Sequence, residues 1–153
     1  MPNRNVVIFN AVHALSEIIL KSLKEILASD IGVNKKSGKN TLKNSDFAKS
    51  LEVLTGLKED SLEFYVVGNY YWYWVENGRK PNRKMPPYEA ILRWAKKNGI
   101  STDNSTLYAI RKSIGINGFE GRHFIDPTLS LIEKELDAWS DRVFNSIISM
   151  LDN

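Results

Sequence analysis

The last 25 residues before the C-terminus constrain this chain most. Leu129, Ile132, Leu136, Trp139 and Val143 recur at steps of three and four, and Ile147 and Leu151 continue the same broad face. That spacing predicts one long amphipathic helix. Asp126-Pro127 stands before it as a cap followed by proline at the first helical position. About 25 residues at ~1.5 Å each make a rod of roughly 37 Å. Such a rod exceeds what one small domain covers, so contact with another subunit is expected of Trp139 and Val143 in particular. With 153 residues in all, the chain is expected to form one domain over residues 1–153.

A second amphipathic helix is predicted over 9–29, where Val12, Leu15, Ile19, Leu23 and Ile26 share a face. Residues 33–45 follow as a polar loop with Lys35, Lys36, Lys39 and Lys43 around Gly38, too poor in apolar residues to order itself alone. Leu51–Leu54 and Leu62–Val67 read as strands of a hairpin, joined through Thr55–Asp60, with residues 62, 64 and 66 inward and Glu63 on the other face. Residues 69–76, Asn-Tyr-Tyr-Trp-Tyr-Trp-Val-Glu, hold five aromatics in a row. Burial preference places them in the core, with the Tyr70, Tyr71 and Tyr73 hydroxyls at an edge. Asn77-Gly78 ends that segment. Pro86-Pro87 opens a helix carrying Ile91, Leu92 and Ala95, and Gly99 closes it. Ser101 or Asp103 caps the next helix, which carries Leu107, Ile110 and Ile114; Gly115, Gly118 and Gly121 then form an irregular link.

The chemistry these residues offer is sparse. There is no cysteine, which removes disulfides, thiolate zinc sites and cysteine nucleophiles. His13 and His123 have no ligand-spaced histidine partner, and neither a phosphate loop nor a dinucleotide fingerprint occurs. No enzyme, metal or cofactor is expected. No apolar run approaches the ~20 residues of a membrane span, and no membrane partner is expected. The net charge of +3 is mildly basic. Arg79, Lys80, Arg83 and Lys84 concentrate it in a loop stiffened by Pro81 that is expected to be exposed, facing either an acidic protein or DNA. The helices on either side of Gly99 also suggest a helix-turn-helix that would bind DNA. Against it, the second helix begins Asp103-Asn104-Ser105, without cations at the end that enters the groove.

Tyr71-Trp72-Tyr73-Trp74-Val75-Glu76-Asn77-Gly78-Arg79-Lys80-Pro81, then Met85-Pro86-Pro87 leading into Ile91–Lys97, then Leu107–Ile114 and the loop Gly118–Phe124, resemble in order and spacing the phage tail-completion or neck proteins that join head to tail. His123 departs from the pattern, which often has proline there. The resemblance implies an α+β fold: a small antiparallel sheet packed by helices, with a long C-terminal helix. It implies a structural virion protein of the neck, without cofactor, assembled in the host cytoplasm into a cyclic homo-oligomer. The implied partners are portal, adaptor or tail-tube proteins, with non-specific contact to passing DNA. The aromatic edge at Tyr71 and Tyr73, with Trp139 and Val143, would supply oligomer contacts.

Overall fold

The computed structural model describes residues 3–151. Its architecture is α+β, predominantly helical, with two-stranded antiparallel sheets and a long C-terminal helix. The chain, expected as one domain, divides its contacts between two compact units, residues 1–72 with 123–153 and residues 73–122.

The first unit is built on α1 (Arg4–Ala28). The helix starts five residues before the predicted Phe9, because the Asn3 side chain accepts a hydrogen bond from the Asn5 N–H and caps it. Leu15, Ile19, Leu23 and Leu27 are buried, as the spacing requires. The stretch Asn5–Ala28 is long and apolar enough to cross a membrane by length and composition, which corrects the expectation that no segment reaches that length. It also carries Glu17, Lys21, Lys24 and Glu25.

The segment after α1 is not the unstructured loop its composition suggests. Asn40 orders it. Its Nδ2 donates to the carbonyls of Leu27 (3.0 Å) and Ser29 (3.1 Å), and its Oδ1 accepts from the Leu42 (3.0 Å) and Lys43 (2.8 Å) amides. Asn34 closes the lysine-bearing turn by accepting from Lys36 N at 2.9 Å, and Gly38 supplies a φ of +65°. Ser45 then caps the short helix α2 (Asp46–Ser50), whose Phe47 is fully buried. The Phe47 ring lies 6.2 Å from that of Tyr71 and 5.4 Å from that of Phe124, both tilted, so three distant segments meet on one side chain.

The hairpin is present but its turn is elsewhere. β1 (Glu52–Lys58) pairs antiparallel with β2 (Ser61–Val67), and Lys58 faces Ser61 across a two-residue turn. Glu59, at φ +49°, takes the left-handed conformation in that turn. Gly56 lies inside the strand opposite Glu63, where a Cβ would stand 3.2 Å from the Tyr65 ring. Burial along β2 does not alternate, and residues 62, 64 and 66 are not a core face: Glu63 and Phe64 are both half-buried, while Leu62 is 44% and Val66 47% exposed.

The C-terminal helix α6 spans Ile125–Leu151. Asp126 is therefore in its first turn and not its cap, and Pro127 is the third helical residue, still within the turn whose N–H groups have no intrahelical acceptor, so its missing N–H breaks no helix bond. Thr128 is buried and donates its hydroxyl back to the Phe124 carbonyl at 2.6 Å. Farther along, Trp139 Nε1 donates to the Ala11 carbonyl at 2.9 Å, so α6 packs along α1.

In the second unit, α3 (Trp72–Asn77, its first residue belonging to the first unit) leads into β3 (Gly78–Arg79), which pairs with β4 (Phe119–Glu120). A Cβ at Gly78, Gly118 or Gly121 would run into the backbone of the facing segment, so these glycines let the two chains close. Between them stand α4 (Tyr88–Lys97) and α5 (Asn104–Asn117), packed through Ile91, Ala95 and Leu107 with Leu92, Ile100, Ile110 and Ile114.

Phe47 is the largest fully buried side chain. Phe47→Ala should destabilise the protein by about 3–5 kcal/mol in chemical denaturation. A loss below about 1 kcal/mol, the ordinary effect of a substitution, would deny Phe47 its place at the centre of the first unit.

Candidate functional site

The charge is unevenly divided. Residues 73–122 contain ten lysines and arginines against four acids, a net of +6, which leaves −3 on the rest of the chain. The global value of +3 conceals this difference.

Within the second unit the expected basic loop is real but is neither uniform nor loose. Lys80, Arg83 and Lys84 are exposed, whereas Arg79 is half-buried in β3. Its guanidinium donates to the Lys84 carbonyl, closing the loop on itself, and its Nε is buried with no hydrogen-bond partner. The expectation of four exposed cations is thus corrected for Arg79, whose backbone is held in the ladder with Phe119. The loop is tied to the end of α5: Asn82 N donates to Ile116 O at 3.0 Å and Arg83 N to Gly115 O at 2.8 Å. Gly115, expected in an irregular link, is helical and buried, and a Cβ there would stand 2.9 Å from the Arg83 carbonyl. Three cations are therefore held on a fixed backbone.

Further cations sit near aromatics on the helices. Arg111 lies 5.9 Å from the Tyr88 ring centre and donates from Nε to the Pro86 carbonyl at 2.8 Å. Lys112 lies 5.9 Å from the Tyr108 ring centre. Arg93, Lys96 and Lys97 on α4 are exposed, and Trp94 beside them is 46% exposed. Basic side chains interleaved with open aromatic faces suit a polyanion or an acidic protein surface. The connection between α4 and α5, residues 98–103, is six residues long. A helix-turn-helix uses about three or four.

The aromatic run is not core. Tyr70 is 70% exposed and Trp72 43%; across the unit boundary Tyr73 is 55% and Trp74 40% exposed. Tyr71 is the exception. It packs on Phe47, and its hydroxyl accepts from Asn69 Nδ2 at 3.2 Å. Of the expected oligomer contacts, Tyr73 is open, while Tyr71, Trp139 and Val143 are half-buried. Trp139 is engaged with α1 of its own chain. His13 stacks on Phe9 at 6.4 Å and is exposed, and His123 takes φ +49°. Among the described residues, no group of three or more His, Cys, Asp or Glu is placed to hold a metal ion.

No protein-family model, curated protein or solved structure matches the chain.

Asp103 anchors the start of α5. It accepts from the hydroxyls of Ser101, Ser105 and Thr106 and from the Thr106 amide. These bonds, the Ser101 hydroxyl first, hold its carboxyl well below the usual carboxylate range. Since the folded group titrates below the unfolded one, its stabilisation is complete above about pH 4 and is lost as pH falls through the lowered folded value. Asp103→Ala should therefore lower the melting temperature at neutral pH, with the gap from wild type closing below about pH 4. A gap that does not change with pH would rule out the ionised cap.

Proposed function

We propose that this protein is a structural subunit of a tailed-phage neck, forming a homo-oligomeric ring between head and tail around the DNA path. One observation carries the reading. Among the described residues, 25 large hydrophobic side chains are exposed, against ten, with Ala48 and Ala95 beside them, in the buried core. Scattered apolar residues on a surface are ordinary, but here 19 of the 25 are grouped along one hairpin, one aromatic run, the start of α1 and the two ends of α6. A subunit whose apolar surface is completed by neighbours has this distribution. The family resemblance of residues 71–129 supplies the setting, and the α+β architecture agrees with it. The subunit acts by assembly and docking, not by catalysis.

The basic unit has a role in the same scheme. Its partner is an acidic neck protein or the DNA that passes through the ring. Docking is favoured, since a channel must release DNA and a gripping surface would oppose its passage. A helix-turn-helix-like DNA-binding protein is the competing reading, and the fixed, basic character of residues 73–122 is what favours it.

The test combines native mass with DNA binding. Sedimentation of the purified protein over a concentration series should show a discrete species above the monomer. A monomer at every concentration would contradict the ring. Binding to unrelated duplexes should be weak, independent of sequence, and steeply reduced by salt. Reversing the charge of Lys80, Arg83 and Lys84 should block head–tail joining in an assembly assay while leaving the fold intact. A strong preference for one duplex sequence would support the helix-turn-helix-like DNA-binding reading instead.

A further inference from the structure

Residues 79–86 run alongside the end of α5 and the link after it, in one continuous apposition. Arg79 is paired with Phe119 in the β3–β4 ladder. A Cβ on Gly118 would collide with the backbone of Arg79–Pro81, so the two segments touch there. Asn82 N then donates to Ile116 O, Arg83 N to Gly115 O, and Arg111 Nε to Pro86 O. The Arg79 guanidinium crosses back to the Lys84 carbonyl. The result is a platform, wholly within the second unit, whose backbone is fixed along its length.

Its exposed side chains are of two kinds. Lys80, Arg83 and Lys84 are exposed cations. Met85 is 40% exposed, Ile116 51% and Phe119 46%. Met85 and Ile116 flank one spot: a Cβ on Gly115 would stand 3.4 Å from Met85 Cγ, and Ile116 is the next residue of α5. A helix end attracts cations for its own sake, but that cause does not account for these. The end of a helix carries only about half a negative charge. The last carbonyls of α5 are also taken already, Ile114 O by Gly118 N, Gly115 O by Arg83 N and Ile116 O by Asn82 N.

We infer that this platform docks an acidic amphipathic segment of a partner protein. Carboxylates of the segment meet Lys80, Arg83 and Lys84, and its apolar side chains cover Met85, Ile116 and Phe119. This rests on the docking role given above to the basic unit and names the chemistry of its partner. Charge alone fits a phosphate backbone equally well. The apolar members separate the two, because a phosphodiester chain has nothing with which to cover Met85 or Ile116. Proteins that hold single strands place open aromatic faces in a basic groove. Tyr88 and Tyr108 on the adjoining helices instead each hold a cation of the protein itself, Arg111 and Lys112, at 5.9 Å from the ring centre. A backbone already fixed loses little freedom when the segment docks.

The test is fluorescence anisotropy of the whole protein with a labelled helical peptide that carries glutamates along one face and leucines beside them. A second peptide has glutamine in place of every leucine. Wild type should bind the leucine peptide at least about tenfold more tightly than the glutamine peptide. Joint Lys80→Glu, Arg83→Glu and Lys84→Glu should abolish binding of both. Joint Met85→Ser and Ile116→Ser should remove the preference for leucine and leave the glutamine peptide bound as before. All five positions are exposed, so the circular dichroism spectrum should not change. Ile116→Thr is the milder substitute if the serine pair alters it. Equal affinity of wild type for the two peptides, or no binding of either, overturns the inference. So does leucine-peptide binding that survives both sets of substitutions, which would place the peptide elsewhere. A single-stranded or duplex oligonucleotide bound more tightly than the leucine peptide, and unaffected by the serine pair, would assign the platform to nucleic acid and overturn it too. Sedimentation of the same samples tests the ring separately. A monomer at every concentration that binds in the expected pattern loses the ring and keeps the docking surface; an oligomer that ignores the peptide does the reverse.

Discussion

The burial of Phe47 is the interaction on which the first unit depends. Its ring is fully enclosed, and Tyr71 and Phe124 pack against it from segments far apart in sequence. Gly68 permits this approach: a Cβ there would stand 3.5 Å from the Phe47 ring and 3.1 Å from Leu51. Polar bonds fix the same junction from its rim. Ser50 Oγ donates to the Phe47 carbonyl at 2.7 Å and accepts from Asn69 N at 2.9 Å. The two ends of the hairpin and the entry to α6 are thereby set together, and the hairpin emerges from a rigid base.

What that core does not cover bears on function. Large aromatic and aliphatic groups lose most by staying in water, about 25 cal/mol for each Å² of apolar surface left open. The chain nonetheless leaves Phe9, Leu57, Tyr70, Phe144 and Leu151 largely open. Within the hairpin, local devices limit the cost: Tyr65 covers Gly56 and donates its hydroxyl to Glu63, whose bond pushes the phenol upward in pKa. The acidic character of residues outside 73–122 and the basic character of those within also separate two kinds of surface, one suited to apolar packing and one to a negatively charged partner.

The sequence was most legible where periodicity and capping agree. The helices at 88–97 and 104–117 start at the expected proline pair and at Asp103, and Gly99 takes φ +64° after the first. It was least legible where a single side chain decides. Asn40 organises the lysine-rich turn through four bonds that no composition reveals. The hairpin turn is made by Glu59 and Asp60, of which only Asp60 is a common turn residue and Glu59 takes the positive φ, while Gly56 suggests a turn that is not there. The beginning of α1 is not legible because Val6, Ile8 and Phe9 are exposed and do not continue the buried stripe. Burial preference assigns the aromatic run to the core because it does not distinguish an inward-facing aromatic from an exposed one. Arg79 was grouped with its cationic neighbours, although its strand position turns it inward.

The central claim is that the exposed apolar surface is covered by further copies of the chain and that the Phe47 core is complete without them. Amide hydrogen exchange across a dilution series measures both at once. The account predicts that β1, β2 and the last two turns of α6 become protected as concentration rises, while the amides of α2 around Phe47 exchange equally slowly throughout. Protection that is the same at every concentration in all these segments would contradict it.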